Sequence, residues 1–201
     1  MNKRIILLHL ALFAGLVCCS QSLEEFNRDR LDLNKKGMWV LGTWAVANLL
    51  SSPVLASRTE GSTRYFHQMN GYWNTVNLVL AGVGYYSAAT TDAALLTFSE
   101  TVKAQHTLEK ILLFNAGLDL AYIAGGFFLQ ERAKTTSKHQ DRLKGFGRSL
   151  ILQGAFLFVF DLGFYWAQTH HGRELVKWMN TLSVGSVGPE GAMGIQFSLF
   201  L

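Results

Sequence analysis

The sequence predicts an all-α protein: a four-helix transmembrane bundle after an N-terminal signal peptide, with interfacial helices and a short Gly-rich C-terminal tail. Three observations predict it. The 201-residue chain is 49% hydrophobic and 16% charged, a membrane balance rather than a disordered one. Four apolar segments approach the roughly 20 residues that a helix needs to cross a bilayer. Within them polar residues recur at helical spacing: His67, Asn70, Asn74 and Asn77 share one face, and Asp119 and Asp161 interrupt two later segments. Polar groups are expensive in hydrocarbon and persist where they pair inside a bundle or line a cavity.

The first element is the leader. Met1-Asn2-Lys3-Arg4, the apolar run 5–17 and the small residues Cys18-Cys19-Ser20 have the three regions of a secretory signal. Removal of residues 1–20 before Gln21 is the expected outcome, with lipidation of Cys19 and a retained anchor as alternatives. Both cysteines lie in this leader, so a mature chain would carry no disulfide, thiolate metal site or cysteine nucleophile. The net charge of +4 is partly carried by Lys3 and Arg4 and makes no case for nucleic acid.

Residues 21–201 are expected to form a single transmembrane helical domain. A polar amphipathic lead-in, 21–36, precedes a first span at about 37–52, which Pro53 is expected to end. The further spans fall at about 64–88, 110–130 and 148–168. The link 89–109 carries Leu95, Leu96, Phe98 and Val102 and is expected to be an interfacial helix running into the third span. After His170, Leu175, Trp178, Met179 and Leu182 suit a helix lying on the outer leaflet. The tail ends in the alternating Ile195-Gln196-Phe197-Ser198-Leu199-Phe200, read as a flexible segment that folds back rather than a strand offered to a partner.

Cytoplasmic loops collect Lys and Arg, and the link after the third span holds Arg132, Lys134, Lys138, Arg142, Lys144 and Arg148. That loop is therefore expected inside, with the mature N- and C-termini periplasmic. Trp39, Tyr85, Tyr86, Tyr165 and Trp166 gather at the outer boundary, as an aromatic belt would. Residues 74–86, NTVNLVLAGVGYY, resemble 153–165, QGAFLFVFDLGFY, through either duplication of a hairpin or the chance likeness of apolar helices.

The candidate site is an intramembrane polar core of Asn48, His67, Asn70, Asn74, Asn77, Asn115, Asp119, Gln153 and Asp161. At about 1.5 Å rise per residue, Asp119, Asp161 and Asn77 come to roughly 12, 10 and 15 Å from the outer boundary, one shared layer. Asn48, Asn74 and Gln153 form a second layer about 20 Å deep. Amides of this kind assemble membrane helices at roughly 0.6 to 2 kcal/mol per hydrogen bond. The aspartates differ, because an ionised carboxylate there is costly and no Lys or Arg lies mid-span to neutralise it. Structural capping by a neutral acid and a proton or cation site both fit. His67, His106, His139, His170 and His171 lie near span ends, where surface histidines are commoner than haem or metal ligands. Gly82, Gly84, Gly125 and Gly126 suit close helix packing, and no phosphate loop, serine elbow or zinc motif is present.

Asn34-Lys35-Lys36-Gly37-Met38 with Gly42, Trp44, Ala45 and Asn48, then Tyr65-Phe66-His67-Gln68-Met69-Asn70 and Trp73-Asn74-Thr75-Val76-Asn77, resembles a family of uncharacterised four-span bacterial membrane proteins. The resemblance covers the first two spans. It implies a bacterial envelope protein and transfers no catalytic residue. The expected role is a non-enzymatic inner-membrane protein, without cofactor, whose polar core supports assembly with a partner or a small ligand. Its partners would be the lipid bilayer and either a second copy or an envelope protein. A proton- or cation-coupled small-solute transporter using Asp119 and Asp161 is the alternative, and a membrane haem protein the third reading.

Overall fold

The structure, a computed structural model, describes the backbone of residues 3–186 and 193–197 and the side chains of residues 23–178. Four long helices make up almost all of it: α1 (Lys3–Ser57), α2 (Gly61–Thr90), α3 (Phe98–Thr135) and α4 (Gln140–Thr181), with a 3₁₀ turn at Ala93–Leu95. Helix α1 packs on α2, α2 on α4, and α4 on α3. Residues 3–20, expected to be a leader, form the start of α1, and their side chains lie outside the described residues.

Each helix runs further than its apolar segment. Thr97 and Glu100 form a capping box that starts α3 at Phe98, so the interfacial stretch and the third span are one helix. The segment expected as the fourth span likewise continues through His170 to Thr181. Pro53 does not end α1, which carries it within the last turn and a half and stops at Ser57. A proline this near a helix end removes one hydrogen bond, and its ring can be accommodated by a slight bend. Gly61, at φ +55°, turns the chain into α2, a conformation that suits glycine.

The C-terminal tail differs from expectation. Met193–Phe197 is a strand paired antiparallel with Leu182–Ser186, with Gly185 opposite Gly194 and Val184 opposite Ile195. The alternating tail finds its partner in the short run that follows α4, and this hairpin is added to the all-α bundle.

The bundle is polar inside and apolar outside. Asn27, Asn74, Thr101, Ser149, Gln153 and Gln168 are fully buried, whereas Leu50, Val83, Phe114, Phe128, Val159 and Trp166 are exposed. Three helices are long and apolar enough to cross a membrane, within Leu23–Ser57, Phe98–Thr135 and Gln140–Trp178. Helix α2 is not among them. Asn70, Asn74 and Asn77 depress its average, and all three face inward, while its outer face presents Val76, Val79, Leu80 and Val83.

Candidate functional site: a buried polar core

The α3–α4 contact has a seven-residue repeat. Gln105, Leu112, Asp119, Gly126 and Ala133 are buried along α3, and Gly147, Gly154, Asp161, Gln168 and Leu175 along α4. That period keeps one seam facing its partner, as in a left-handed coiled coil. Glycine sets how closely the helices approach. A Cβ on Gly126 would lie 2.6 Å from the Gly147 carbonyl oxygen, and one on Gly154 would lie 2.9 Å from that of Asp119. Gly84 approaches the flexible side chain of Met38 rather than backbone, while Gly82 and Gly125 face open space. Only two of the four glycines singled out from the sequence therefore serve helix packing.

Where the seam carries carboxylates, Asp119 and Asp161 line the same cavity. They are 2% and 5% exposed. The cavity is about 200 Å³; its polar lining is Asn77, Asn115, Tyr122 and the two aspartates, and its apolar wall includes Leu41, Trp73 and Phe160. Trp73 meets Tyr122 edge to face at 4.7 Å, fixing both rings. Asp119 Oδ2 is buried with no hydrogen-bond partner among the described residues. Asn77, Asp119 and Asp161, expected in one outer layer, all line this cavity.

The second layer is composed differently. Trp44 Nε1 donates to Gln153 Oε1 at 2.9 Å, Gln153 Nε2 donates to Asn70 Oδ1 at 3.2 Å, and Ser149 Oγ donates to the same oxygen. Asn70 thus ties α2 to α4, and Gln153 carries the link on to α1. Asn48 and Asn74 instead donate to carbonyls of their own helices, at Trp44 and Asn70, and Asn74 accepts from Asn77. Depth counted from guessed span ends is too coarse to separate Asn74 from Asn70, one turn apart. Trp44 also stacks on Phe156 at 3.9 Å, which holds its indole for the bond to Gln153.

A third layer lies toward the start of α3. Thr101 Oγ1 donates to Asn27 Oδ1, Gln105 Nε2 to the Gln168 carbonyl oxygen, and Gln168 Nε2 to Asn34 Oδ1. Asn27, Thr101 and Gln105 sit in stretches polar throughout, so no contrast marks them. The heptad through Gln105 and Asp119 is the signal that finds one of the three.

The histidines are placed at the two ends. His67 is half-buried beside Phe66, His106 pairs with Glu109, and His171 stacks on Phe26 and contacts its carbonyl oxygen at 3.1 Å. Asn115 is half-buried on the cavity wall, whereas His67 joins neither the aspartate nor the Asn70 layer.

No curated protein and no solved structure matches the chain. A family model does, over residues 40–162, a span that takes in the aspartate and Asn70 layers and leaves out Asn27, Arg30 and Gln168. The chain belongs to that family, a family of unknown function designated DUF6992.

Proposed function

We propose that this is a multi-pass integral membrane protein of the bacterial inner membrane, in which the amide layers hold the helices together and the aspartate layer binds a small polar species. The observation that carries the proposal is Asp119 Oδ2, buried without a partner beside a cavity lined by Asp161, Asn77, Asn115 and Tyr122. In liquid water one molecule occupies about 30 Å³, so the cavity is of a size for an ion with a few waters rather than a bulky solute. Two facing carboxylates away from bulk water favour a proton or a small cation between them, since both cannot ionise cheaply unaided. Such a site, alternately filled from either side, would serve coupled transport.

Asp119→Asn and Asp161→Asn keep the shape of the neutral acid, so each variant should fold. Infrared spectra of the native protein should show a protonated-carboxyl band at neutral pH, or its replacement by a cation-dependent carboxylate band, and the double variant should show neither. Two aspartates that respond to pH and salt like exposed ones would sink the proposal.

In the bundle α2 serves as the fourth span, with amides inward and aliphatic residues toward lipid. Arg58, Arg64 and the basic α3–α4 link gather at one end, because the α1–α2 turn lies beside Asp141 at the start of α4. By the excess of positive charge this end is cytoplasmic. A cysteine replacing exposed Lys138 should resist an impermeant thiol reagent in intact spheroplasts, and one replacing Asp92 should react. The reverse pattern would invert the orientation.

A further inference from the structure

A second cavity, separate from the aspartate site, lies on the outer half of the bundle between α1 and α3. It is an open cleft of about 480 Å³. Its polar lining is Arg30, Asn34, Glu100, Lys103 and Thr107, and its apolar lining includes Leu96, Leu108 and Ile111. Arg30 is 5% exposed, and its Nε is buried without a partner. The guanidinium makes one long bond, 3.5 Å to Asn27 Oδ1, and no ion pair among the described residues. A buried cation ordinarily has a carboxylate or an equivalent acceptor beside it, because taking it out of water is costly otherwise.

We propose that this cleft binds the phosphate headgroup of an anionic lipid, with Arg30 and Lys103 on the phosphate and Leu108 and Ile111 along the first part of an acyl chain. The planar fork of Arg30 suits phosphate oxygens, and Lys103 adds a second positive charge. Asn34 gives its oxygen to Gln168, which leaves its amide nitrogen as a donor. The carboxylate in the lining, Glu100, is held by the backbone N–H and hydroxyl of Thr97 in the capping box. Its charge is thus drawn toward the start of α3.

The apolar wall decides between a lipid and a free anion. Ile111 continues directly into the exposed Phe114 face of α3, a surface directed to lipid under the membrane reading on which this inference rests. A free phosphate would leave that wall unmatched. The two readings fail separately, because a protein that needs detergent for solubility yet shows no lipid preference would retain the first and lose the second.

The test is native mass spectrometry of the full chain in mild detergent, titrated with phosphatidylglycerol or with phosphatidylcholine of the same acyl chains. Wild type should retain phosphatidylglycerol preferentially. Arg30→Gln and Lys103→Gln should each weaken it by about tenfold, the effect of losing one charge-assisted hydrogen bond. Leu108→Trp, which fills the cleft without touching a charge, should do the same, and Arg142→Gln at the opposite end should not. If Arg30→Gln fails to fold, Lys103→Gln and Leu108→Trp decide. Unchanged lipid retention in those two variants would overturn the proposal, as would displacement of the lipid by inorganic phosphate at equal concentration.

Discussion

Replacing Gly126 with valine should separate α3 from α4 and destabilise the bundle by about 3 kcal/mol, the upper end of ordinary overpacking. A Cβ there would meet the Gly147 oxygen at 2.6 Å and the Ile151 nitrogen at 3.0 Å. Both are backbone atoms, so no side-chain rotation relieves the clash. Without a hydrophobic driving force between helices in lipid, close backbone approach is a main source of their association. Valine at Gly125, one residue away and facing open space, controls for the residue change itself. The thermal midpoint in detergent should fall for Gly126→Val and stay within a degree or two for Gly125→Val. Equal midpoints would mean that the helices are not in backbone contact at this seam.

Gly126 also bears on the aspartates. The same seam brings Gly154 under the Asp119 carbonyl, so the glycines set the spacing of the two helices that carry the carboxylates. A separated α3–α4 pair should therefore lose the infrared signature of the aspartate site together with stability. Substitution at Gly84, which packs on Met38 in the α1–α2 hairpin, should affect stability and leave that signature.

Much of this arrangement was legible in the sequence because hydrophobic length and polar spacing are local properties. The buried amide face of α2 follows from them, as does the presence of Asp119 and Asp161 on one cavity. The identity of the Asn70 hub did not, because register between helices is set by glycine contacts and by tryptophan placement, which periodicity within one segment does not report. Trp44 lies within an apolar segment, where spacing gives no sign that its indole N–H is the donor that ties α1 to Gln153. Arg30 was equally obscure. In the lead-in it is one charge among Arg28, Asp29 and Asp32, and only the fold shows that it is buried while Arg28 pairs with Glu24 at the surface. The second strand partner, Leu182–Ser186, was masked by its continuity with the helix before it.

The Asn70 layer supplies the second large effect. Asn70→Leu removes the one oxygen that accepts from both Ser149 and Gln153, leaving two buried donors unpaired. Each stranded group costs about 1 to 3 kcal/mol in a protein interior, and measurements within membranes sit at the lower end, so the expected loss is about 2 to 4 kcal/mol. Asn74→Leu is a demanding comparison, since Asn74 is just as buried but bonds only within α2. It strands one donor, on Asn77, and should cost roughly half as much. Adding Ser149→Ala to Asn70→Leu removes one of the stranded donors and should recover about 1 kcal/mol, although Ser149→Ala alone in the native background should destabilise. That reversal of sign separates a specific hydrogen-bonded hub from a general loss of polarity. Additive effects of Asn70→Leu and Ser149→Ala would mean that the hub does not join α2 to α4.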